Sequence, residues 1–129
     1  MTCYSDIVLN KQFSKKNLNY YLPNISASLD IGKQRNKQED SVLILEHPFN
    51  NNIKILAVAD GMGGLSDGAK ASNVALLNLA KWFLYQLKLD NNLNNLVYEM
   101  QVLMNVIDNI VRKNCNGGGT TLATALILK

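Results

Sequence analysis

Histidine and cysteine are nearly absent, with one His and two Cys in 129 residues. Cys3 and Cys115 stand far apart and match no metal or redox spacing, and His47 alone builds no zinc set. Both thiols are expected to be free, as in a reducing compartment. Acidic residues are also few, ten against thirteen Lys and Arg, for a net charge of +3. The lysines are scattered apart from a loose group at Lys11, Lys15 and Lys16, which reads as a solvated arm, so no nucleic acid is expected as a partner. No apolar run approaches a membrane span, and the N-terminus lacks a basic-then-apolar signal pattern. No membrane association is expected, and the cytoplasm is the expected location. With 47% hydrophobic and 18% charged residues the chain is globular in composition, and its length suits one domain.

What is present is organised in strands and helices. In "ISASLDIG" (25–32) Ile25, Ala27, Leu29 and Ile31 alternate with polar residues, a half-buried strand ending at Gly32. Tyr20, Tyr21 and Leu22 before it form a short lead-in strand. "GKQRNKQED" (32–40) is a polar loop. "SVLILEH" (41–47) and "IKILAVAD" (53–60) are strands, joined through the turn residues "PFNNN" (48–52) as a hairpin with a longer connection. Residues 72–87 read as a mostly covered helix with a narrow polar stripe. Residues 93–111 read as an amphipathic helix, its apolar face built from Leu93, Leu96, Val97, Met100, Leu103, Met104, Ile107, Ile110 and Val111. The asparagines of "NNLNN" (91–95) supply the break and the N-cap. "TTLATALILK" (120–129) is a further strand. The chain stops in it without a polar tail, where a domain usually ends less abruptly.

The stretch "VADGMGG" (58–64) poses the functional question, because an apolar strand ends in a carboxylate followed by three glycines within four residues. If 41–47 and 53–60 pair antiparallel, Asp40 and Asp60 lie at the same end of the sheet with Glu39 beside them. Three converging carboxylates repel one another unless a cation binds them. An all-oxygen set suits Mg²⁺ or Mn²⁺. Gly61 lets the backbone approach such an ion, and its carbonyl is a further candidate ligand. Arg35 lies four residues before Glu39, and a guanidinium near a cation points to a phosphate held in a bidentate fork. Together these residues point to hydrolysis of a phosphoester. Taken singly, each also reads as ordinary turn or surface. The "DGMGG" loop lacks the Walker Lys-Ser/Thr pair and the G-x-G-x-x-G spacing, which argues against nucleotide binding.

"SLDIGKQRNKQEDSVLI" resembles the first motif of the metal-dependent type 2C (PPM) serine/threonine protein phosphatases, D-x-G-x-x-R-x-x-N-E-D-S, with Gln38 where Asn is common. "LAVADGMGG" and "GGGTTLATALI" resemble the second and third motifs in the bacterial form, in the same order. The resemblance covers 25–129, with 1–24 as lead-in. It implies an α+β fold, a partial four-layer α-β-β-α sandwich truncated after about half of the domain. It implies that Asp60 bridges two metal ions, that the Gly61 carbonyl and Glu39 reach one of them, and that Asp40 hydrogen-bonds water in the metal shell. Arg35 would hold the substrate phosphate. Asp30 would orient the loop, Met62, Gly63 and Gly64 would shape the turn into the helix, and Thr120 and Thr121 would be structural. It further implies two Mn²⁺ or Mg²⁺ ions for a whole domain and a phosphorylated protein as substrate.

The second half of such a domain carries further aspartates in D-G and D-N contexts. Asp67-Gly68, Asp90-Asn91 and Asp108-Asn109 mimic them, but none follows an apolar strand, so they are rejected as replacements. The expected site is therefore half complete, with one ion at most and little or no phosphatase activity. The alternative expectation is a non-catalytic module. It would bind metal weakly, self-associate through an exposed sheet, or be complemented by a C-terminal half.

Overall fold

A computed structural model of the chain describes residues 25–63, 67–89 and 92–129, together with the strand path of residues 18–22. Cys3, Lys11, Lys15, Lys16, Gly64 and Asp90, for which the sequence raised expectations, lie outside the described residues.

Strands β1 (Leu18–Leu22) and β2 (Ile25–Leu29) pair antiparallel as a small two-stranded sheet. The main sheet is built on the hairpin of β3 (Asp40–His47) and β4 (Asn50–Met62). β4 is its central strand, flanked on the other side by β5 (Gly119–Thr120) and β6 (Ala123–Ile127), both antiparallel to it. The hairpin turn is tighter than "PFNNN" implies. Strand pairing resumes at Asn50, opposite His47, and the surplus residues are taken up by a register slip between Glu46 and His47. The last strand is not continuous either, because it breaks at Thr121 and Leu122 between β5 and β6.

Helix α1 (Gly68–Lys81) continues into a π-helical turn, Trp82–Gln86, closed by a hydrogen bond from Leu87 N to Trp82 O of 2.9 Å. It begins before the expected residue 72, at a glycine. Helix α2 (Leu93–Asn114) is capped by Asn92, whose side chain accepts from Asn95 N at 2.9 Å.

Alternation along β3 and β4 decides what each sheet face meets. Leu43, Leu45, Ile53, Ile55, Ala57 and Ala59 turn to one face and pack under α1, with Leu76, Leu79 and Phe83, as the core. α2 packs on α1 rather than on the sheet, so only a narrow strip of it is covered. Leu96, Leu103, Ile107 and Val111 are buried, whereas Leu93 and Val97, expected on that face, are exposed. The opposite sheet face is covered unevenly. Val42 on β3 is buried with Leu29 and Ala27 of β2. Towards β6 the face is open among the described residues: Val58 is 55% exposed, and Ile127 on the same face is also exposed. Among the described residues, the helical layer, the main sheet and the small β1–β2 sheet over part of its other face make up part of the four expected layers. Among the described residues no helix is long and apolar enough to cross a membrane.

Candidate functional site

Asp40 and Asp60 are direct partners in the β3–β4 register. Residues opposite each other across a strand pair share a face, so both carboxyls project from the open face at the end of the hairpin. They share a hydrogen bond, and the carboxyl of Asp40 is pushed above its ordinary range. Partial desolvation is the largest cause, followed by the charge of Asp60 and that hydrogen bond; Arg35 pulls the other way. The backbone of Asp60 is fixed from β5 and the residue after it. Its carbonyl accepts from Thr121 N at 2.9 Å and Thr120 Oγ1 at 3.1 Å, and its N–H donates to Thr121 Oγ1 at 3.2 Å.

Glu39 does not join this pair on the open face. Neighbouring residues of an extended chain point to opposite sides, so Glu39 is turned towards the helix layer. A side chain built at Gly68, the first residue of α1, would stand 2.8 Å from Glu39 Oε1. The positive end of a helix favours a negative charge in that position. Glu39 Oε2 accepts from Arg35 Nη1 at 3.3 Å. The Glu39 carbonyl is held by Gly61 N at 3.2 Å and by Ser72 Oγ at 2.6 Å, and Ser72 also meets Ser41 Oγ at 2.9 Å. Glu39, Asp40 and Asp60 thus line one cavity, with Asp40 and Asp60 as a facing pair and Glu39 in the wall, held by Arg35 and the start of α1. Among the described residues no three His, Cys, Asp or Glu side chains form one group placed to hold a metal ion.

An open cavity of about 170 Å³ gathers Asp30, Ile31, Arg35, Gln38, Glu39, Asp40 and Asp60. Asp30 Oδ1 accepts from Gly32 N at 2.8 Å, and Gly32 turns the loop with a φ of 75°. Gln38 is buried, and its Oε1 accepts from Asp40 N at 3.2 Å. Gly61 is buried for a reason that spacing did not reveal. A Cβ there would lie 2.1 Å from the carbonyl oxygen of Gly68 and 2.5 Å from that of Glu39. The missing side chain makes room for the start of α1. Gly63 is hemmed in likewise by Gly68 N. Of the rejected aspartates, Asp67 precedes α1, and Asp108 lies within α2, bonded to Arg112 Nε at 2.8 Å.

The donor set tests the fit of a cation. Two adjacent carboxylates, one with a proton affinity raised by partial desolvation and then by its neighbour's charge, match a hard divalent ion that would relieve the repulsion. Sequence reading missed the Ser41–Ser72 bridge and the grip of Thr121 on Asp60. Ser72 stood as a polar residue near the start of an apolar helix, a weak signal of a buried bond. The i, i+4 spacing of Arg35 and Glu39 was visible, but their direct ion pair was not read from it.

No protein-family model matches the chain, and no curated protein matches it. Solved structures do. A serine/threonine phosphatase of S. agalactiae matches with a TM-score of 0.60 and 24% identity, over 78% of this chain and 42% of its own. Serine/threonine phosphatase Stp1 of Staphylococcus aureus matches with a TM-score of 0.66 and 22% identity, over 91% of this chain and 43% of its own. The chain therefore has part of this phosphatase fold and spans less than half the length of either protein. The α+β, partial-sandwich expectation holds.

Proposed function

We propose that this chain forms the Asp40–Asp60 portion of a metal-dependent phosphatase site of the type 2C (PPM) kind, which hydrolyses phosphoserine and phosphothreonine in proteins. The observation that carries the reading is the pairing of Asp40 and Asp60 across β3 and β4, on the wall of the cavity that Arg35 also lines. Asp60 would hold Mn²⁺ or Mg²⁺, with Glu39 and the Gly61 carbonyl as further oxygen donors. When bound, such an ion supplies an acidified water and neutralises phosphate charge. Asp40, whose proton affinity is raised by partial burial and by Asp60, would hydrogen-bond water in the shell of that ion. Arg35 receives the phosphate on its guanidinium. Asp30 and Gly63 support the loop and the turn. The substrate is a phosphorylated protein and the location the cytoplasm.

Among the described residues no three acidic, His or Cys side chains group to hold a metal ion, so one ion at most is expected, and little or no turnover by this chain alone. Thermal melts test the site. Mn²⁺ should raise the melting temperature of the chain but not that of Asp60→Asn. Absence of any Mn²⁺ effect in the unaltered chain would overturn the metal assignment. Robust aryl phosphate hydrolysis with Mn²⁺ that vanishes in Asp60→Asn would overturn the incomplete-site reading.

One observation favours a second reading, a non-catalytic module that associates through its sheet or is completed by a second polypeptide. The apolar face at Val58 and Ile127 is open.

A further inference from the structure

Arg35 and Glu39 differ sharply in how they are held. The Arg35 side chain is 71% exposed on the loop between β2 and β3, whereas that of Glu39 is 17% exposed. Glu39 is fixed at three points: its carboxylate lies against Gly68, and its carbonyl accepts from Gly61 N and from Ser72 Oγ. The contact between the two residues uses a single guanidinium nitrogen, Nη1 to Glu39 Oε2 at 3.3 Å. That leaves the Nε–Nη2 edge for a second acceptor. An arginine has five donors in a planar fork, so one carboxylate oxygen at one corner orients the group without consuming it.

We propose that Glu39 is a positioning residue for Arg35. It is a rigid anchor that holds an otherwise solvent-swept guanidinium over the cavity with its free edge turned to a phosphate oxygen. The inference rests on the assignment of phosphate to Arg35 in the reading above, and it adds a role for Glu39 separate from any contact with a cation. An untethered arginine must lose side-chain freedom when the anion binds, and the tether removes part of that cost beforehand. A charge effect alone makes the opposite prediction, because removing a carboxylate near an anion site should strengthen anion binding.

The experiment titrates inorganic phosphate into the metal-free chain, with chelator present, and follows backbone amide shifts by NMR. Glu39→Leu should weaken phosphate binding by about two- to fivefold, the range of an exposed ion pair. Glu39→Gln, which keeps a neutral acceptor for Nη1, should recover part of the loss. Asp60→Asn removes a negative charge from the same cavity without touching the tether, and should tighten binding. Unchanged or tighter binding in Glu39→Leu, with its amide spectrum still that of the folded chain, would overturn the proposal. If Glu39→Leu does not fold, Glu39→Gln decides alone: weaker binding supports the tether, and unchanged or tighter binding overturns it. Arg35→Ala separates this from the underlying reading, since phosphate affinity unaltered by that change would remove Arg35 from the phosphate site altogether.

Discussion

His47 shows how far one buried side chain departs from its solution behaviour. Its ring meets Phe83 edge-on at 5.5 Å, and its Nδ1 accepts from Phe49 N at 3.3 Å. Burial pushes its pKa below the ordinary 6.5. A base with a depressed folded-state pKa lends stability that is complete above the unfolded value. That stability is lost as pH falls from 6.5 through the lower folded value. Urea melts from pH 7.5 down to pH 5 should therefore show falling stability, and His47→Gln should flatten that slope. A slope identical in both proteins would assign it to other groups. Residue type and strand register were enough to expect Asp40 beside Asp60. They were not enough to orient Glu39, whose direction depends on where the strand begins to alternate and on the helix that receives it.

The strand–helix junction is set by close backbone approach. Gly61 and Gly68 touch because neither carries a side chain, and α1 enters the fold at that point. Gly61→Ala would place a methyl group 2.1 Å from a backbone oxygen, which no rotamer change can relieve. The expected cost is about 3 kcal/mol, at the upper end of overpacking changes. Gly119, where nothing lies within 4 Å of an added Cβ, should accept alanine with much smaller loss. Denaturant melts of the two variants compare them directly, and equal stability would mean that α1 shifts freely. The strands, the helix cap at Asn92 and the order of elements were all legible, because alternation and capping are local. The early start of α1, the break at Thr121 and the narrow buried strip of α2 were not. Each follows from what the element packs against.

At the scale of the whole molecule, one sheet face is buried by α1 and the other is only partly covered by the described residues. β2 shields the β3 side through Leu29 and Val42, and Val58 stands open near the middle of the sheet. An apolar face of this kind favours association, since each apolar square ångström removed from water contributes roughly 25 cal/mol. The chain is expected to self-associate at micromolar concentration in light scattering. Val58→Lys should shift it towards monomer while leaving the helical circular dichroism unchanged, because that position contributes nothing to the α1 core. A monomeric unaltered chain would count against the module reading and leave the catalytic one standing.

The order of strands and helices, the facing pair Asp40 and Asp60, and the α+β class were determined by sequence alone, since all three arise from period, turn chemistry and register along short stretches. The tertiary structure alone decided that Glu39, in the wall of the same cavity as the Asp40–Asp60 pair, is held by Arg35 and the start of α1. It also decided that Gly61 is spent on helix packing. The physical reason is the same in both cases. These outcomes depend on which atoms from a distant segment occupy the space beside a residue, and no local pattern carries that information.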